Sequence, residues 1–181
     1  SKEYYHYSCG TGVEAGRWFV DKKVKCVAMD MQALDHPLHT AMGNNGMTRM
    51  NLLGASGYPI TEEYIQQFGE EAYAEFDKFT YIKVHGKKAY DKKFGDLEAL
   101  GNWGTWEPCH KLMLGHGIVG VENLGGDLDK VSGKRFRFNC FPLRWYMGDG
   151  SMAHCVAEID KDDLNNVPDR TYSYGGCLPE R

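Results

Sequence analysis

His110 and Glu122 are the side chains whose types and spacing carry the most chemistry in this sequence. Pro108 suits a first helical turn, where no amide donor is needed, and Gly115 and Gly117 are stop signals, so residues 107–115 read as a helix with His110 on it. Ile118 to Asn123 then read as a strand, with Glu122 near its end. A helix packed on its own following strand brings two such side chains together. A neutral imidazole and a carboxylate are hard-to-borderline ligands suited to Zn2+ or Mn2+. The same spacing also fits a helical histidine near the surface and an unrelated glutamate at a strand end, and the two residues alone leave both readings open.

The neighbours of this pair carry similar alternatives. Asn123 is placed either to bind a substrate or to satisfy backbone groups. Trp103 and Trp106 precede His110 and either line an aromatic pocket or pack against the core. His36-Pro37-Leu38-His39 is an H-x-x-H in a loop, read here as a substrate contact near a pocket mouth. Asp30 and Asp35 close a strand and either orient a ligand or cap the next turn. His116 at a helix end and His154 in a strand are explained by solvent and packing.

Around these residues the chain reads as α/β. Thr11 followed by Glu14 has the form of a capping box at the head of a helix over 11–23. Val24 to Asp30 reads as a buried strand, giving a helix, turn and strand unit. Residues 36–60 carry the glycines and asparagines of a loop. Tyr64, Phe68, Ala72 and Phe76 recur every four residues, which predicts a helix over 61–76 with one face on a core. Residues 80–95 are polar and rich in Lys, and read as a surface excursion. Strands are expected over 135–141 and 153–159, with Gly148-Asp149-Gly150 as a tight turn between them.

Composition narrows the function classes. The 181 residues suffice for one domain with a real core. A net charge of −4 with only short lysine pairs offers no concentrated basic patch, which argues against nucleic acid. No apolar run approaches the length of a membrane span, and no signal peptide opens the chain. The six cysteines include no C-x-x-C pair, so zinc-ribbon and thioredoxin-type motifs are unsupported. Cys26, Cys140 and Cys155 lie in apolar runs, where they read as buried small hydrophobes, and a reducing cytoplasm is the expected compartment. The chain begins Ser1-Lys2-Glu3, without a methionine, as expected of a processed product or a piece of a longer one.

Several ordered segments resemble the cyclase family of metal-dependent hydrolases, which includes kynurenine formamidase and isatin hydrolase. Glu107-Pro-Cys-His110 through Gly117-Ile118 to Val121-Glu122-Asn123 resembles that family's second metal-binding stretch. Gly12 to Val20, Val27 to Asp30 and Leu34-Asp35-His36-Pro37 resemble its helix–strand–SLD segment, and Phe141-Pro142-Leu143 to Gly148-Asp149-Gly150-Ser151 its late strand pair. The resemblance covers roughly residues 8–37 and 96–160, and makes residues 38–95 a family-variable insert. It implies a swivelling β/β/α-type fold with a mixed sheet and flanking helices, often assembled as a dimer or tetramer. It also implies His110 and Glu122 as ligands of one Zn2+ or Mn2+.

One departure from the family pattern is large. The family's H-x-G-T-H-x-D segment, which supplies two His and one Asp to metal, has no counterpart among these residues. The general-base His of the family is missing with it. The expectation is therefore a single domain forming the C-terminal part of the family fold, completed by a second polypeptide that carries the motif, with the pair in a higher oligomer. The implied activity is hydrolysis of a non-peptide C–N bond, in an N-formyl aryl amide or a cyclic amide, by metal-activated water. Two other classes remain beside it. One is an N-terminal nucleophile hydrolase using Ser1. The other is a non-catalytic subunit of a hydrolase complex.

Overall fold

The computed structural model describes residue 4, residues 8–40 and residues 60–164, and excludes the side chains of residues 60 and 164. Ser1, His6, the glycine-rich stretch over 41–59 and the tail beyond 164 lie outside the described residues. The chain is mixed α/β. It forms two compact units, divided between Asn123 and Leu124.

In the first unit, helix α1 (Val13–Asp21) leads into strand β1 (Cys26–Ala28). Helices α2 (Ile60–Phe68), α3 (Glu70–Tyr73), α4 (Lys78–His85) and α5 (Lys87–Glu98) follow the undescribed stretch. Helix α6 (Pro108–Gly115) then turns at Gly117 into strand β2 (Val119–Val121). β1 and β2 pair in parallel, with Val27 opposite Gly120. Met29 N and Asn123 N extend the alignment by donating to Val121 O and Met31 O at 3.0 and 2.8 Å.

Helix α1 packs on α6 through Gly16. A Cβ there would lie 2.9 Å from Leu112 Cδ1 and 3.3 Å from the Cys109 backbone, so the absence of a side chain permits the close approach. One buried cluster joins Val13, Tyr81, Tyr90, Phe94, Leu97 and Leu112. A second joins Leu34, Cys109, Met113 and Ile118 under the β1–β2 pair.

Several expectations need correction. Thr11 does not cap α1: its hydroxyl donates to Leu34 O, and the N-cap is Gly12 with no side-chain hydrogen bond. The helix expected over 61–76 breaks at Gly69 (φ 88°), and Phe68 is half-exposed while Tyr73 and Ala74 are buried. Residues 80–95 are not a surface excursion. They form most of α4 and α5, whose Tyr81, Tyr90 and Phe94 are core residues. Lys83, Lys87, Lys88 and Lys92 are exposed on these helices, Lys78 and Lys93 are half-buried, and Tyr90, Phe94 and Leu97 form an i, i+4, i+7 stripe. Cys26, Cys140 and Cys155 are half-buried rather than fully buried.

The second unit contains a short helix α7 (Leu128–Val131) and an antiparallel hairpin of β3 (Arg137–Pro142) and β4 (Ala153–Glu158), followed by α8 (Lys161–Leu164). Among the described residues no helix is long and apolar enough to cross a membrane.

Candidate functional site

The chain between β1 and the turn at Pro37–His39 lays Asp35 against the start of α6. Gly10 makes this possible, because a Cβ on it would collide with the backbone at Asp35 and His36. Thr11 also bridges to Asp35 in parallel. Asp35 is buried, 1% exposed. Its carboxylate accepts from Cys109 N at 2.8 Å and from His110 N at 2.9 Å. These are two of the amides that an α-helix leaves unsatisfied in its first turn. Asp35 thus caps a helix remote in sequence, with its charge at the positive end of the helix dipole.

The same carboxylate orients His110. Asp35 Oδ2 lies 2.7 Å from His110 Nδ1, and His110 Nε2 lies 3.0 Å from Glu122 Oε1. Glu122 Oε1 also accepts from Leu34 N at 2.7 Å. The imidazole is therefore held between two carboxylates, each anchored by backbone amides. Burial disfavours its charged form, but the hydrogen bonds and charges of Asp35 and Glu122 outweigh burial and push its pKa up to about 10. Burial would raise Glu122, yet its bonds to His110 and to Leu34 N hold it below the ordinary carboxylate range.

Two left-handed residues flank this network. Glu107 (φ 43°, ψ 51°) immediately precedes α6 and donates its amide to His39 O at 2.9 Å. Asn123 (φ 53°) follows Glu122. Its side chain accepts from the Tyr4 hydroxyl at 2.5 Å, and that hydroxyl also lies 3.1 Å from Asp30 O. Non-glycine residues in this region are uncommon and gather where the surrounding structure over-determines the backbone.

The remaining sequence candidates lie apart from the network. His39 is buried, with Nδ1 2.7 Å from Thr105 O and its ring edge-on to Phe76. His36 stacks on Phe76 at 4.5 Å and accepts from Leu38 N. Burial lowers both pKa values, that of His36 to about 4. Together with Glu14, Glu75 and Lys93 they line a pocket of about 330 Å³ that includes neither His110 nor Glu122. Trp103 meets Phe79 edge-on, and its carbonyl accepts from Lys111 Nζ at 2.7 Å. Trp106 is half-buried and donates its amide to Trp103 O.

Asp35 is the residue that sequence reasoning undervalued, having treated orienting a ligand and capping a turn as alternatives. The signal for both was the head of α6, where Glu107-Pro108-Cys109 offers no good cap of its own. Among the described residues no group of three or more His, Cys, Asp or Glu side chains is arranged to hold a metal ion. His110 Nε2 and Glu122 Oε1 stand as an ion pair, and a metal ion bound by both would take the place of the proton they share. Donors bound at roughly 2.0–2.2 Å to one tetrahedral ion sit a little over 3 Å apart. Their 3.0 Å separation is close to that, and a carboxylate on the second ring nitrogen is the usual outer partner of a metal-bound histidine. No family model, no curated protein and no solved structure matches this chain.

Proposed function

We propose that this chain is part of a metal-dependent hydrolase that cleaves a non-peptide amide C–N bond. The observation that carries the proposal is the convergence of His110 Nε2 and Glu122 Oε1, with Asp35 fixing the imidazole from the other side. His110 and Glu122 would hold a Zn2+ or Mn2+ ion, and Asp35 would set the ring orientation. An ion held there supplies a Lewis acid for the scissile carbonyl and a bound water of lowered pKa.

Two ligands do not complete such a site. The remaining ligands and the general-base His are assigned to a second polypeptide carrying H-x-G-T-H-x-D, and the two chains together to a swivelling β/β/α-type fold. The sheet supports this assignment: among the described residues β1 and β2 pair only with each other, leaving edges that another chain's strands can extend. Trp103, Trp106, Asn123, His36 and His39 are the residues assigned to substrate contacts, and Asn123 is the nearest of them in sequence to the ligand pair.

The test is activity of the natively purified protein, with any co-purifying chain retained, toward an N-formyl aryl amide and a cyclic amide. Activity abolished by a chelator and restored by Zn2+ or Mn2+ is expected. Activity that survives chelation would instead favour a nucleophile such as Ser1.

A non-catalytic subunit is the second reading. It is favoured by the absence of a complete ligand group among the described residues and by the amide from Leu34 already bound to Glu122. On that reading Asp35, His110 and Glu122 only fasten the 30–35 segment to α6 and β2.

A further inference from the structure

The β3–β4 hairpin places two cysteines face to face. Its register sets Cys140 opposite Cys155, between the pairs Asn139–Val156 and Phe141–His154. One step beyond the ladder, Leu143 N donates to Met152 O at 3.1 Å, so those two facing residues form a hydrogen-bonded pair. Hydrogen-bonded and non-hydrogen-bonded pairs alternate along an antiparallel ladder. Counting back from Leu143–Met152, Phe141–His154 is hydrogen-bonded, whereas Pro142–Ala153 and Cys140–Cys155 are not. Pro142 agrees with this count, because proline has no amide hydrogen and fits only where the ladder asks for none.

A non-hydrogen-bonded pair brings its Cα atoms to about 4.5 Å, inside the range of roughly 4.4–6.8 Å that a disulfide spans. The Sγ atoms of Cys140 and Cys155 are 3.7 Å apart, in contact but not bonded. Both residues are half-buried, within reach of a small oxidant. Cys109, by contrast, is fully buried on the inner face of α6.

We propose that Cys140 and Cys155 are a redox-modifiable pair that closes to a cross-strand disulfide. With a low-molecular-weight disulfide as oxidant, one cysteine thiolate attacks the oxidant's S–S bond and forms a mixed disulfide. The second cysteine then displaces the remaining small thiol. One S–S bond forms in the protein, the oxidant's S–S bond breaks, and the two electrons and two protons leave as two small thiols. The new bond fixes the register of the hairpin and closes the loop that carries Trp145 and Tyr146.

The test uses the full chain equilibrated in a series of glutathione redox buffers, quenched with acid, alkylated, digested and read by mass spectrometry. The expected result is a cross-linked peptide joining Cys140 to Cys155, two hydrogens lighter than the reduced pair, with both sites lost to alkylation. Cys140→Ser should leave Cys155 alkylated or carrying glutathione. The wild-type measurement stands even where that variant folds poorly. Full alkylation of both cysteines in oxidised glutathione would overturn the proposal, as would linkage of either one to a different cysteine.

Discussion

His110 and His36 belong to the same unit, and their surroundings treat them oppositely. His110 sits between two carboxylates and is held charged far above the ordinary histidine range, to about 10. His36 sits against Phe76 and Tyr64, with His39 nearby, and is held neutral down to about pH 4. Burial disfavours charge at both positions. Only His110 has hydrogen-bonded anions to reverse the effect, and both anions are themselves fixed by backbone amides. The ring and both carboxylates of the His110 network are fixed in place, and an ion bound there would have to displace the proton that His110 shares with Glu122, whereas the aromatic setting of His36 and His39 is that of a packed wall.

The largest effect expected on this contrast comes from Asp35→Ala. It removes three hydrogen bonds, taking the acceptor from the Cys109 and His110 amides and leaving His110 paired with Glu122 alone, so a loss of about 2–4 kcal/mol is expected in urea unfolding. The pH dependence separates the two histidines next. The folded-state pKa of His36 lies below its unfolded value of 6.5, so its neutral form contributes stability above pH 6.5 that is lost as pH falls toward 4. Up to about 3 kcal/mol is lost across that window. His36→Phe should flatten this part of the profile while keeping the stacking on Phe76, and an unchanged acid limb would show that the pKa of His36 is not depressed in the folded state.

A smaller effect is expected from His39→Phe. It keeps the aromatic packing but leaves Thr105 O without its ring partner, at a cost of about 1–3 kcal/mol. Smallest is Asn123, exposed and left-handed: Asn123→Gly should stay within about 0.5 kcal/mol of wild type, because glycine accepts φ 53° without strain, while Asn123→Ala should cost about 1 kcal/mol. Thermal unfolding of the two variants side by side checks the difference.

The sequence made the helix–strand placement of His110 and Glu122 legible, because Pro108, Gly115 and Gly117 punctuate the chain on either side of α6. The inward face of α5 was hidden by composition: six lysines between residues 78 and 93 outweighed the stripe of Tyr90, Phe94 and Leu97. Thr11 and Glu14 matched a local capping pattern, but the Thr11 hydroxyl went to Leu34 O because the tertiary bridge to Asp35 places it there. Asp35 was visible as a residue and not as a cap, since the helix it serves begins more than seventy positions later. Spacing reveals contacts inside one α/β unit, whereas contacts that depend on how two segments cross become evident only in the fold.

Metal stoichiometry bears most directly on the ligand pair. Natively purified protein, together with every chain that accompanies it, would be assayed for Zn and Mn by elemental mass spectrometry beside His110→Ala and Trp103→Phe. Metal bound in the wild type and in Trp103→Phe, but lost in a folded His110→Ala, is the predicted result. Equal metal content in all three, or none in an intact complex, would contradict the assignment of His110 and Glu122 as ligands.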